Sequence, residues 1–201
     1  FHEANAPLPG CLDTLLQKHL LKRAKRDRLA KVRRAIHDFP EVQALLAAKG
    51  PLVREAFEAA AKADTSVMNT GNKALVMGLD AFCQDLVDKG LTKDLLVKPT
   101  PAVKGATPPE VKSNLSWLDC KGAFASGQKA DEKDADKLTV DFEEWCATLA
   151  LCGHIKYEEV AEMALVARVD AIFANYLGEA DEHAAITAAM FPPMERFAPP
   201  A

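Results

Sequence analysis

The chain has 201 residues, 49% of them apolar and 27% charged, which is enough for one substantial core or two small ones and excludes disorder throughout. A formal net charge of −4 argues neither for nucleic acid nor for an acidic substrate. Five cysteines (Cys11, Cys83, Cys120, Cys146, Cys152), with no Cys-x-x-Cys pair and no His at finger spacing, imply neither a disulfide framework nor structural zinc, and so point to a reducing cytoplasmic compartment.

No apolar run approaches the roughly 18 residues of a membrane span, so no membrane partner is expected. The Phe1-His2-Glu3 start lacks an initiator Met and a signal peptide's apolar stretch, and a fragment of a longer protein is the expectation. After an irregular lead at Pro7 and Pro9-Gly10, Asp13 or Thr14 predicts the cap of a helix carrying Leu12, Leu15, Leu16, Leu20, Leu29, Val32 and Ile36. Phe39-Pro40 ends it, because proline disfavours helical backbone in the residue before it. A second helix, 41–49, stops at Gly50-Pro51, and Pro51 opens a third, "PLVREAFEAAAKA".

Residues 73–90 read as a helix with Leu79, Phe82, Cys83, Leu86 and Val87 inward and Gly90 as its stop. The proline density of 98–109 predicts a loop or surface arm. Helical patterning resumes behind a Ser113 or Asn114 cap, with Leu115, Trp117, Leu118, Ala123 and Phe124. A charged loop then leads to a helix with Phe142, Trp145, Cys146, Leu149 and Leu151. Residues 158–177 form the most regular helical pattern, and 178–201 read as a proline-rich tail. Only "LTV" at 138–140 and "LVM" at 75–77 have strand character, so the fold class is all-α.

One arrangement occurs twice: an Ala-Phe at the end of a helix, a polar loop, a short apolar stretch, and a helix opening with an aromatic. The copies are "REAFEAAAKA … LVMGLDAFCQDLV" and "KGAFASGQKA … LTVDFEEWCATLA". This is the pattern of paired EF-hands, in which a two-stranded ladder couples two helix-loop-helix units. A calcium loop supplies oxygens at positions 1, 3 and 5, glycine at 6 and a bidentate Glu at 12, because a large hard cation needs six to eight converging oxygens.

With Val140 at position 8 and Glu144 at 12, positions 1, 3 and 5 are Lys133, Ala135 and Lys137. Counting forward from Phe124 starts the loop at Gln128 instead and leaves about five surplus residues. In the first unit, Met77 at position 8 leaves Ala81 at 12 and Thr70, Asn72 and Ala74 in the ligand places. Neither loop retains a calcium ligand set, and no metal or cofactor is expected. Asp131, Asp134, Asp136 and Glu144 remain as an improvised acidic site, weighed against a simple solvated charge run.

The stretch "LTVDFEEWCATLALCGHIKY", residues 138–157, resembles the "L-T-F-x-E-F-L-E-A-L-x-R-L-A-x-x-K-Y" pattern of axonemal proteins. Leu138, Thr139, Phe142, Trp145, Leu149, Ala150, Lys156 and Tyr157 carry the match, with one extra residue near each end. Residues 51–177 thus resemble a degenerate calmodulin-like EF-hand pair of ciliary and flagellar proteins. That resemblance implies a non-enzymatic docking module on doublet microtubules, with tubulin or another axonemal protein as partner.

The domain reading is a basic segment over 1–50, the pair over 51–177 and the tail over 178–201. Between Leu16 and His37, Lys18, Lys22, Arg23, Lys25, Arg26, Arg28, Lys31, Arg33 and Arg34 stand against the single Asp27, so that stretch carries roughly +8 and the rest of the chain roughly −12. An acidic filament surface, the chain's own EF-hand groove and nucleic-acid phosphates all suit such a helix, as does an ordinary exposed face. Nucleic acid is disfavoured by the lack of interleaved aromatics. "LQKHLLKR" is faintly similar to an IQ motif, with its basic residue displaced by one place.

His19, His37, His154 and His183 have no Asp, Ser or Cys at catalytic spacing, Cys152-Gly153-His154 places its two reactive groups on different sides of a helix, and "NTGNK" lacks the Gly-Lys-Ser/Thr of a phosphate loop. Trp117 and Trp145 are read as core residues over partner anchors.

Overall fold

A computed structural model describes residues 8–16, 18, 28–67, 75–100, 109–128 and 139–191. The described chain is mostly helical. Its helices are α1 (Leu8–Leu15), α2 (Ala30–Asp38), α3 (Pro40–Ala63), α4 (Leu79–Asp88), α5 (Trp117–Gly127), α6 (Phe142–Lys156), α7 (Leu165–Tyr176) and α8 (Glu182–Met190). Four short strands join them: β1 (Met77–Gly78), β2 (Leu95–Val97), β3 (Val111–Ser113) and β4 (Thr139–Val140).

The N-terminal segment is not one helix from Asp13 to Phe39. A turn at Arg28-Leu29 precedes α2, and residues 19–27 lie outside the described ones. Of the expected apolar face, Leu29 and Ile36 are buried while Leu12 is exposed. Phe39 is extended, as proline favours in a residue with a Cβ before it, and Pro40 takes the first helical place of α3. Gln43 Nε2 donates to Ile36 O at 2.6 Å and ties the α2–α3 corner.

The expected break at Gly50-Pro51 does not occur, and α3 runs straight through it. Proline clashes in part with the Cβ of the residue before it, and Gly50 has none, so that contribution is absent, while the hydrogen bond to Ala47 O is still forfeited. Val53, Phe57 and Ala61 beyond the proline are buried on the same core as Val42 before it, which rewards continuity. A domain boundary at residue 50 would therefore cut a continuous helix.

Residues 75–78 are extended rather than helical, and α4 begins only at Leu79. Gly90, at φ 74°, ends it: Gly90 N–H donates to Val87 O and Leu91 N–H reaches back to Leu86 O, both at 2.9 Å. Val87 faces solvent, against expectation. Two strands absent from the sequence reading, β2 and β3, flank the proline-rich segment and pair antiparallel with Leu96 opposite Lys112. Because Ser113 is in β3 with its side chain buried, the cap of α5 shifts to Ser116, which forms a capping box with Asp119.

The expected helix over 158–177 starts late, at Leu165. Burial of Val160 and Met163 holds 157–163 in successive turns, with Val160 N–H donating to Tyr157 O and Met163 N–H to Val160 O. The tail contains α8, capped by Asp181 and anchored by the buried Ile186. Its Ala-rich sequence and Asp cap favour helix over the proline content that follows.

The two copies of the sequence repeat are related across β1 and β4. The ladder pairs Met77 with Val140 and Gly78 with Thr139. Around it the aromatics cross reciprocally: Phe57 of α3 meets Trp145 of α6, and Phe82 of α4 meets Phe124 of α5, each at 5.6 Å between ring centres. Such pairs add about 0.5–1.5 kcal/mol beyond their buried area. Each unit thus supplies one entering and one exiting aromatic to its neighbour, and α7 packs along α6 and α3.

Candidate functional site

Two loops meet at the ladder, and each is closed by one side chain at the end of its entering helix. In the first, the Asp64 carboxylate accepts from Ser66 N–H at 2.9 Å, Ser66 Oγ at 2.6 Å and Gly78 N–H at 2.7 Å. In the second, Gln128 Nε2 donates to Thr139 O at 3.0 Å. Gly78 and Thr139 are ladder partners, so both clasps converge on one rung. A side chain at position 78 would press on Ser66 Oγ and Asp64 Oδ2, 2.8 and 3.0 Å from an added Cβ, which explains the glycine.

Burial by itself would raise the Asp64 pKa. The hydrogen bonds from Ser66 and Gly78 outweigh it and hold the carboxyl below its ordinary 3.8. Glu144, expected from the sequence at position 12 of a calcium loop, forms a capping box at the start of α6: its Oε2 accepts from Asp141 N–H at 3.0 Å, while Glu144 N–H donates to Asp141 Oδ1 at 2.8 Å. Asp131, Asp134 and Asp136 lie outside the described residues. Among the described residues, no group of three His, Cys, Asp or Glu side chains is placed to hold a metal ion.

Sequence reasoning found Gln128 as a loop start but not its role, and missed Asp64. The signal for Asp64 was "DTS", since Asp followed two residues on by Ser favours a side-chain turn onto the local backbone.

The nine predicted basic residues do not share one environment. Lys22, Arg23, Lys25 and Arg26 lie outside the described residues; Lys18, Arg28, Lys31 and Arg34 are exposed. Arg28 stands 3.5 Å from Glu158, and both are well solvated. Arg33 turns inward, and its Nη1 donates to Ser126 O at 2.8 Å near the C-terminus of α5, where a cation complements the helix dipole. The apolar side of α2 packs on α3, α5 and α6.

Trp145 is buried beneath Phe57 and Tyr176, whereas Trp117 is 38% exposed at the start of α5, contrary to the core reading. Tyr176 Oη donates to Asp85 Oδ2 at 2.8 Å, so α7 is tied to α4 across the space between the units. Lys156, wholly buried, donates to Leu91 O at 2.6 Å and pairs with Glu182 at 2.9 Å, locking α8 onto the body. Burial opposes ionisation of Glu182, but the Lys156 ammonium holds its carboxyl below 4.5.

Cys83, Cys120, Cys146 and Cys152 are free and buried. Burial pushes Cys83 and Cys146 up to about 12, and Cys152 is held well above the usual range by its hydrogen bond with Cys120 and by burial. His154 faces Arg168 rather than a cysteine: burial, and next the Arg168 charge, hold its imidazole below 6.5. Gly153 lets α7 approach, since an added Cβ would lie 2.6 Å from Ile172 Cγ2 and 2.7 Å from Arg168 O.

Comparison of the chain with protein-family models, characterised proteins and solved structures finds no match. No helix among the described residues is long and apolar enough to cross a membrane.

Proposed function

We propose that the chain is a non-catalytic protein-interaction module: a paired EF-hand that holds its loops without calcium, fills its own groove, and presents a basic face to an acidic protein partner. The observation that carries this reading is the shared rung, where Asp64 and Gln128 clasp Gly78 and Thr139. Hydrogen bonds there perform the loop closure that a coordinated cation performs in calcium-binding hands. The Met77–Val140 pairing and the reciprocal aromatics support the paired-hand fold. Tyr176, wedged against Trp145 and bonded to Asp85, supports a self-filled groove, since a target helix would have to displace α7.

The cellular address rests on the resemblance of residues 138–157 to axonemal proteins, which makes tubulin or another protein of a ciliary or flagellar doublet the partner. Membrane, nucleic acid and cofactors have no part in this reading. Co-sedimentation with polymerised microtubules across a salt series tests it. The expected result is binding at low ionic strength that falls away as salt rises past about 0.1 M, as exposed charge is screened. No binding at low salt removes tubulin as the partner.

A calcium sensor with its basic helix docked in its own groove is the second reading, favoured by the packing of α2 on α5 and α6. Calorimetric titration separates the two. Heat of binding at millimolar calcium supports the sensor, and a flat trace supports the ion-independent module.

A further inference from the structure

Beside α2 the surface carries a hollow of about 370 Å³ that neither loop nor ladder uses. Its walls are Val32 and Ala35 from α2, with Met163 from the α6–α7 connection and Leu165 from the start of α7, and its cationic lining is Lys31 and Arg168. His154 also borders it and accepts from Arg168 Nη1 at Nδ1, 3.3 Å away. An arginine only donates, so that imidazole is neutral with its proton on Nε2. Arg168 is fixed by donating from Nε to Met163 O at 2.9 Å and from Nη2 to Val160 O at 3.2 Å, which makes it a rigid part of the wall. Of the acids, Glu158 pairs with Arg28 at 3.5 Å, and Glu162 precedes Met163 in the chain. Lys31 and Arg34 are exposed on the same helix, and the sequence runs back from Arg28 into Arg26, Lys25, Arg23 and Lys22.

An apolar hollow set in a cationic field is a two-part recognition surface. The field attracts any anion, while the hollow rewards burial of an apolar side chain, and a phosphate backbone has none to offer. The geometry points to this hollow as the socket for a single large apolar side chain, carried by an extended acidic segment of the partner protein whose charges lie along Lys31, Arg34 and Arg28. The inference rests on the basic-face reading above and adds to it an anchor and a place. A socket of this size accepts a phenylalanine or leucine side chain, and partial burial of such a group corresponds to about tenfold in affinity.

The test uses the full chain and two fluorescent glutamate-rich peptides, one with a central phenylalanine and one with serine there, titrated at low salt. The socket predicts that the phenylalanine peptide binds about tenfold tighter. Ala35→Leu, which fills the hollow from a half-buried position, should abolish the difference, and Lys31→Glu should weaken both peptides. With the methionine methyls labelled, Met163 of the unmodified chain should shift with the phenylalanine peptide and not with the serine one, whatever the stability of Ala35→Leu. Equal affinities with an unmoved Met163 overturn the socket and leave the basic face standing. Absence of binding by either peptide overturns the basic face itself. Tighter binding of a single-stranded oligonucleotide than of the phenylalanine peptide, unaffected by Ala35→Leu, assigns the surface to nucleic acid and overturns the inference.

Discussion

Asp64 carries three hydrogen bonds and Gly78 has no room for a side chain because of them. Asp64→Ala removes all three and leaves the Gly78 donor on the closed loop unpaired, with an expected cost of about 1–3 kcal/mol in urea denaturation. Lys156 and Glu182 form a buried pair, so Glu182→Ala leaves the ammonium with Leu91 O alone and should cost about 3 kcal/mol. Replacing both by apolar residues should recover part of that loss, since no buried charge then remains.

Acid titration separates these groups. His154 is held neutral below its ordinary 6.5, so its contribution is present above that pH and is lost as pH falls through its lowered folded value. Asp64 and Glu182 are also depressed, from 3.8 and 4.5, and their contributions persist until still lower pH. Stability measured from neutral pH downward should fall in two stages, and His154→Phe should remove the first.

Among the elements, α6 and α7 approach through Gly153, where an added Cβ meets both Ile172 and the backbone of Arg168. Gly153→Ala should therefore cost about 1–3 kcal/mol despite improved helix propensity, read as a lower midpoint in thermal unfolding. The elements that periodicity made legible were those whose core face repeats locally: α4 from Phe82 to Leu86, α5 around Phe124, and α6 from Trp145 to Leu149. The misreadings share a different cause. Gly50 relieved the clash that Pro51 implied, β2 and β3 gained strand geometry from each other across the proline-rich segment, and Val160 and Met163 were drawn into turns by burial. Each depends on a neighbour distant in sequence or on a local exception, which a pattern of apolar residues does not encode.

For the molecule as a whole, the repeat was legible because both units keep the residue five places before the exiting aromatic, Met77 before Phe82 and Val140 before Trp145. The ladder pairs those two residues. Apart from the local "DTS" turn, the clasps were not legible, since Asp64 and Gln128 reach across 14 and 11 residues to backbone groups that carry no sequence signature. On the proposed paired-hand reading, loops closed by these hydrogen bonds have no calcium-linked stability to gain, because only a ligand that binds the folded state raises its stability.

Thermal unfolding of the intact chain in excess chelator and in millimolar calcium tests that claim most directly. Superimposable curves in the two conditions, together with a lowered midpoint for Asp64→Ala in both, are the expected result. A midpoint that rises with calcium in the unmodified chain would contradict it.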